Sequence, residues 1–85
     1  MIIVVEPEDL VCDQLAAARS LCAHGHPLDA EQRYQTILRE AESQFGAYSW
    51  MVASVHCELA AFYASQEKHC SAKKHTELAF EIMRW

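Results

Sequence analysis

The side chains able to ligate a metal or attack an electrophile are four cysteines and five histidines. A structural zinc site takes four thiolate or imidazole ligands, commonly in closely spaced pairs. No Cys-x-x-Cys pair occurs here: the cysteines stand at 12, 22, 57 and 70, separated by 10, 35 and 13 residues. The densest cluster, Cys22 with His24 and His26, has no fourth ligand at a recognisable spacing. Cys12 and Cys22 cannot pair as a disulfide on one helix, since ten residues of helical rise set them ~15 Å apart. Nucleophilic catalysis needs a thiol within reach of a base, and His56-Cys57 and His69-Cys70 carry the right residue types. Helical neighbours point ~100° apart, however, so neither imidazole easily holds the adjacent thiol. No Gly-rich phosphate loop and no nucleophile elbow occurs. The expectation is a chain that is no enzyme, holds no metal or cofactor, and uses its cysteines as small hydrophobes.

Charge narrows the partners. The 85 residues carry a net charge of −5, unevenly placed: residues 1–46 hold eight acids against three arginines, and residues 47–85 hold four of each sign. An acidic half repels phosphate, which argues against nucleic acid. Lys68, Lys73 and Lys74 are too few to reverse that and read as a solvated helix face. Met1 to Val5 is apolar but too short to span a membrane, lacks a basic flank and runs into Glu6, so neither a membrane anchor nor a signal peptide is expected. A cytoplasmic chain with reduced thiols follows.

The elements that would position any site are helices. The composition is 52% hydrophobic with only two Gly and two Pro, which suits dense helix rather than a turn-rich sheet. Met1 to Val5 is a β-branched, strand-like run that Pro7 stops. A first helix follows, with Leu10, Gln14, Ala17 and Leu21 at helical spacing and Val11, Leu15, Ala18 and Cys22 beside them. It should end near His24-Gly25, where Gly supplies a left-handed cap. Pro27 opens a second helix with an inner stripe of Ala30, Tyr34, Ile37, Leu38 and Ala41, closed by Phe45-Gly46. Ser49 caps a third, whose inward residues are Val52, Val55, Leu59, Phe62 and Tyr63. A break at Gln66-Glu67 leads to a fourth, carrying Ala72, Thr76, Ala79, Phe80 and Met83. Four helices joined by three short loops form antiparallel hairpins.

The chain also resembles itself at an offset of 42 residues. Ala18 falls on Ala60, Ala30 on Ala72, Leu21 on Tyr63, Gly25 on Glu67, Tyr34 on Thr76 and Leu38 on Phe80. Small residues are needed where the two helices of a hairpin cross closely, and Ala18 with Ala30, then Ala60 with Ala72, supply them.

With those residues aligned, the chain resembles the tetratricopeptide repeat in its longer, 42-residue form. Leu59-Ala60-Ala61-Phe62-Tyr63-Ala64-Ser65-Gln66-Glu67-Lys68-His69-Cys70-Ser71-Ala72, followed by Ala79-Phe80, is similar to the family pattern. The first repeat matches at Gly25, Ala30, Tyr34 and Leu38 but has Ala17 for the usual Leu and Ile37 for the usual Ala. Glu67 replaces the turn Gly, which puts a side chain where φ > 0 is expected at a cost of about 1 kcal/mol.

The resemblance implies an all-α fold of two antiparallel helix hairpins stacked as a short right-handed solenoid. It implies one domain: an extended segment 1–7, repeat one over 8–46 and repeat two over 47–85. It also implies a binding scaffold, an adaptor or small chaperone for another protein or peptide, with a concave groove lined by the first helix of each pair. By register the groove residues are Cys12, Leu15, Arg19 and Cys22, then Ser54, Cys57, Ala61 and Ala64. The family members that clamp a peptide's C-terminal carboxylate use Lys and Asn there, and Leu15, Arg19 and Glu58 do not provide them. An apolar peptide or an amphipathic helix is the expected occupant. In stacked repeats a final polar helix covers the last hairpin, so Phe80, Ile82, Met83 and Trp85 are expected to form an apolar end face. That face offers the alternative of a structural subunit that self-associates or completes a larger solenoid.

Overall fold

The computed structural model describes residues 7–84, with side chains from Leu10 onward. The strand-like run Met1 to Val5 and the end-face residue Trp85 lie outside the described residues. Four helices follow in order: α1 (Pro7–Ala23), α2 (Pro27–Phe45), α3 (Trp50–Ser65) and α4 (His69–Met83). Among the described residues there is no strand. Among the described residues no helix is long and apolar enough to cross a membrane.

Each boundary has a local cause. Pro27 opens α2 at a position whose N–H needs no partner. Gly25 takes φ +84°, and the His26 N–H reaches back to the Leu21 carbonyl at 2.9 Å, which closes α1 with a Schellman turn. Gly46, at φ +89°, ends α2 by donating to the Glu42 carbonyl. The Ser49 hydroxyl accepts from the Val52 N–H at 3.3 Å and caps α3. The turn after α3 repeats the first: Lys68 N–H donates to the Tyr63 carbonyl at 2.8 Å. Glu67 holds the left-handed position there at φ 62°, as the alignment with Gly25 predicts.

Helices adjacent in sequence pack against one another, and a narrower contact joins α1 to α3. The helix pairing is compatible with a small helical solenoid. One core runs through the stack. It takes Val11, Leu15 and Ala18 from α1 and Ala30, Tyr34, Ile37, Leu38 and Ala41 from α2. From α3 come Met51, Val52, Ala53, Val55, Leu59, Phe62 and Tyr63, and α4 adds Ile82. The Tyr34 and Phe62 rings meet across the two hairpins with centroids 5.3 Å apart, tilted by 48°. The expected stripes of α2 and α3 are thus the buried ones. On α1 the inner face is the Val11, Leu15 and Ala18 line, while Leu10 is half exposed.

The fourth helix follows expectation at Phe80 and Met83, two residues of the expected end face, and departs from it at Thr76, which is exposed, and at Ile82, which is buried. Ala79 is buried, but Thr76, Phe80 and Met83 face outward, and the inward residues are His75, Ala79 and Ile82. The physical reason is the neighbour: in the first hairpin the corresponding face of α2 is covered by α3, and among the described residues nothing covers α4.

Candidate functional site

Several hollows open on the surface of the described residues, and the eight expected groove residues are spread over two of these, the core and open surface. Between α1 and α3 lies a groove of about 270 Å³, walled by Arg19, Cys22 and Ala23 on one side and Glu58, Ala61 and Ser65 on the other. Tyr34 and Phe62 also line it. Arg19, Cys22 and Ala61 therefore meet there as the register implies. Leu15 does not, being 5% exposed and packed in the core: it stands one turn before Arg19 on the same side of α1, at a level where that side is covered rather than open. Cys57 lines a different hollow, on the outer face of α3 and α4. Cys12 and Ala64 are exposed and Ser54 half-buried, and none of the three lines the groove.

The groove is apolar along its length and polar at one place. The Arg19 guanidinium approaches the Glu58 carboxylate at 3.6 Å, linking the two walls. A pair this exposed adds little stability, typically under 1 kcal/mol, so neither charge is committed to the fold. Tyr34 is 2% exposed, and burial first, then the Glu58 carboxylate, push its phenol above the ordinary value. No hydrogen bond of the described residues engages the Tyr34 hydroxyl, and no fully buried side-chain oxygen lacks a partner. Tyr34 lines the groove with Glu58 and Arg19 close enough to act on its phenol. Tyr34, Arg19 and Glu58 together give an apolar trough one polar corner that can both donate and accept.

A second hollow, of about 430 Å³, opens between α2 and α4 and reaches His56 and His75. Their Nδ1 atoms are 2.9 Å apart, and the two rings are stacked with centroids 5.1 Å apart. At that distance one imidazole must donate and the other accept, so the pair shares a single proton between its facing nitrogens. Tyr63 also stacks on His75, with ring centroids 5.5 Å apart, and its hydroxyl accepts a hydrogen bond from Gln35 at 3.0 Å. Burial pushes both imidazoles below the ordinary value, and His56 and Lys74 lower His75 further. Glu42 of α2, Tyr48 of the connecting loop and Lys74 and Glu81 of α4 are the other titratable groups around it.

Sequence reasoning weighed His56 only as a partner of Cys57. The structure sends the two to different faces, His56 into the stack and Cys57 onto the end face. Helical spacing held the missed signal: His56 lies four residues after Val52 and three before Leu59, and His75 four before Ala79, all inward positions.

The third hollow, about 170 Å³, is lined by Cys57, Ala60, Thr76, Ala79, Phe80 and Met83. Phe80 and Met83 are exposed there as expected of the end face, whereas Ile82 is 7% exposed and belongs to the core. The aromatics Tyr48 and Trp50, at the entry to α3, are both exposed. His24 bonds back to the Ser20 carbonyl through Nδ1 at 2.7 Å. Among the described residues no three His, Cys, Asp or Glu side chains converge as a metal site would require. No protein-family model matches the chain, and no curated protein or solved structure is significantly similar to it.

Proposed function

We propose that this chain is a protein-interaction module of tetratricopeptide-like design, one that binds an apolar peptide in the groove between α1 and α3 and performs no chemistry on it. The observation that carries the reading is the polar corner of that groove. Tyr34, Arg19 and Glu58 converge at the mouth of a trough otherwise walled by Cys22, Ala23, Ala61 and Phe62. Binding sites are typically apolar hollows in which a few placed polar groups fix orientation. The occupant that fits is an extended segment with a small or medium apolar side chain on Ala61 and Phe62. One backbone amide would then exchange hydrogen bonds with the Tyr34 hydroxyl and the Glu58 carboxylate. An adaptor or a small holding chaperone in the cytoplasm would use such a site.

The test is display selection of short peptides against the full chain, followed by anisotropy titration of the selected sequences. Ala61→Trp fills the trough from an exposed position and should weaken binding at least tenfold. Tyr34→Phe removes only the hydroxyl and should weaken it several-fold, roughly the ~1 kcal/mol of one hydrogen bond. Selected peptides that bind both variants as well as the parent would show that the groove is not the site.

A further inference from the structure

The two hairpins present one patch twice, once filled and once open. In the first hairpin Leu15 and Ala18 of α1 and Tyr34, Ile37, Leu38 and Ala41 of α2 are buried in the core shared with α3. Forty-two residues later stand Cys57, Ala60, Thr76, Ala79, Phe80 and Met83, and these six line the hollow on the outer face of α3 and α4. Among the described residues nothing fills it. We infer that this face is a docking site for an amphipathic helix supplied by another polypeptide, with an aromatic residue as its anchor.

The helical form of the occupant follows from the filled copy, where the element seated on the patch is a helix, α3, with Phe62 against Tyr34. The aromatic anchor follows from the differences between the copies. Cys57 stands for Leu15, Thr76 for Tyr34 and Ala79 for Ile37, so the centre of the open patch has lost three large side chains. The space left is about 170 Å³, and an apolar cavity of ~150 Å³ is enough to take a benzene ring. Phe80 and Met83, larger than the Leu38 and Ala41 they replace, stand at 63% and 56% exposure beside it. A thioether there can fold over an inserted ring.

A second copy of this chain fits poorly as the occupant when stacked head to tail. Where α3 offers Val55, Leu59 and Phe62, α1 has Asp13, Ala17 and Ser20 at the matching positions, a carboxylate, a methyl and a hydroxyl. The site is separate from the α1–α3 groove and its occupancy does not depend on that groove.

The experiment uses a synthetic peptide of this chain's own α3, residues 49–66 with Cys57→Ser, added to the isotope-labelled full chain. Amide shifts should cluster on α4 around Thr76, Ala79, Phe80 and Met83 and saturate. The peptide carrying Phe62→Ala should bind at least tenfold more weakly. In the full chain Thr76→Arg and Phe80→Asp, both at exposed positions, should abolish the shifts while circular dichroism shows the helices kept. Shifts confined to the α1–α3 groove, or equal binding by the Phe62→Ala peptide, would overturn the inference. So would sedimentation showing a dimer that Phe80→Asp returns to monomer, which would assign the face to a second copy. Shift mapping on the unaltered chain decides the matter even if a variant fails to fold.

Discussion

The two hairpins share a backbone and differ in what their side chains do. Their turns superimpose hydrogen bond for hydrogen bond at the 42-residue offset: His26 to Leu21 in one, Lys68 to Tyr63 in the other, with Ala30 to His26 answered by Ala72 to Lys68. Yet α2 buries five side chains on its inner stripe, while α4 buries only His75, Ala79 and Ile82. The hairpin fold therefore does not decide burial; the next element in the stack does. Helical repeats behave this way because each unit rests its apolar face on its neighbour. A unit with no neighbour over it keeps the same backbone and exposes the same positions.

The sharpest way to break that comparison is to truncate the same register position in both hairpins. Leu38 is 8% exposed and its counterpart Phe80 is 63% exposed. Leu38→Ala should destabilise the fold by roughly 2–5 kcal/mol, the range for removing a buried aliphatic side chain. Phe80→Ala removes a larger side chain and should cost only about 0.5 kcal/mol, as exposed positions do. Thermal melts of the two variants check this. Equal losses would mean that Phe80 is packed in solution, and the end face would then be closed.

A second contrast is electrostatic. At the places of His56 and His75 the first hairpin has Gln14 and Arg33, so only α3 and α4 carry a buried imidazole pair. Both imidazoles titrate below the ordinary value of about 6.5 in the native state because they are buried. As pH falls through that value the unfolded chain takes up protons that the native pair refuses. Stability present at neutral pH is therefore lost progressively below about 6.5. Two positive charges cannot be held 2.9 Å apart without water, so acid should open α3 against α4 first. Urea midpoints at pH 7.5 and 5.0 should differ, and His75→Leu should flatten the difference. Hydrogen exchange at pH 5.0 should show faster opening in α4 than in α2. Faster loss of α1 and α2 instead would end the idea of a hairpin-specific latch.

Helix boundaries were legible in the sequence because their causes are local. Gly25, Pro27, Gly46 and Ser49 each determine a backbone angle or fill a hydrogen bond within a few residues of themselves. The stripes of α2 and α3 were legible because both lie inside the stack, where large apolar spacing and burial coincide. The face of α4 was legible in part: the exposure of Phe80 and Met83 follows from the uncovered end of a repeat stack, whereas the burial of His75 and Ile82 does not follow from register, since their counterparts Arg33 and Glu40 on α2 are exposed. The groove was legible in part: Arg19, Cys22 and Ala61 follow from register, whereas Leu15 shares Arg19's side of α1 and only the packing of the neighbouring helices buries it. The histidine pair depends on two helices meeting nineteen residues apart, a distance that no single-helix pattern reports.

The smallest effect isolates the turn from everything that packs around it. Gly25 and Glu67 occupy the same left-handed position, at φ +84° and 62°. A side chain at positive φ costs roughly 1–2 kcal/mol through the clash of its Cβ with the backbone. A glycine returns part of that by loosening the unfolded chain, which opposes the gain by about 0.4–1 kcal/mol. Glu67→Gly should thus stabilise the protein by about 0.5–1 kcal/mol. At Gly25 a Cβ would meet no heavy atom within 4 Å, so Gly25→Glu tests backbone strain without a steric collision and should lose a similar amount. The two changes carry opposite signs at equivalent positions, and to the extent that the two turns act independently the double variant should return close to the parent's melting temperature. If Glu67→Gly destabilises, the Glu67 side chain is making a contact that its exposed position does not suggest. The second turn would then be held by that contact rather than merely tolerated.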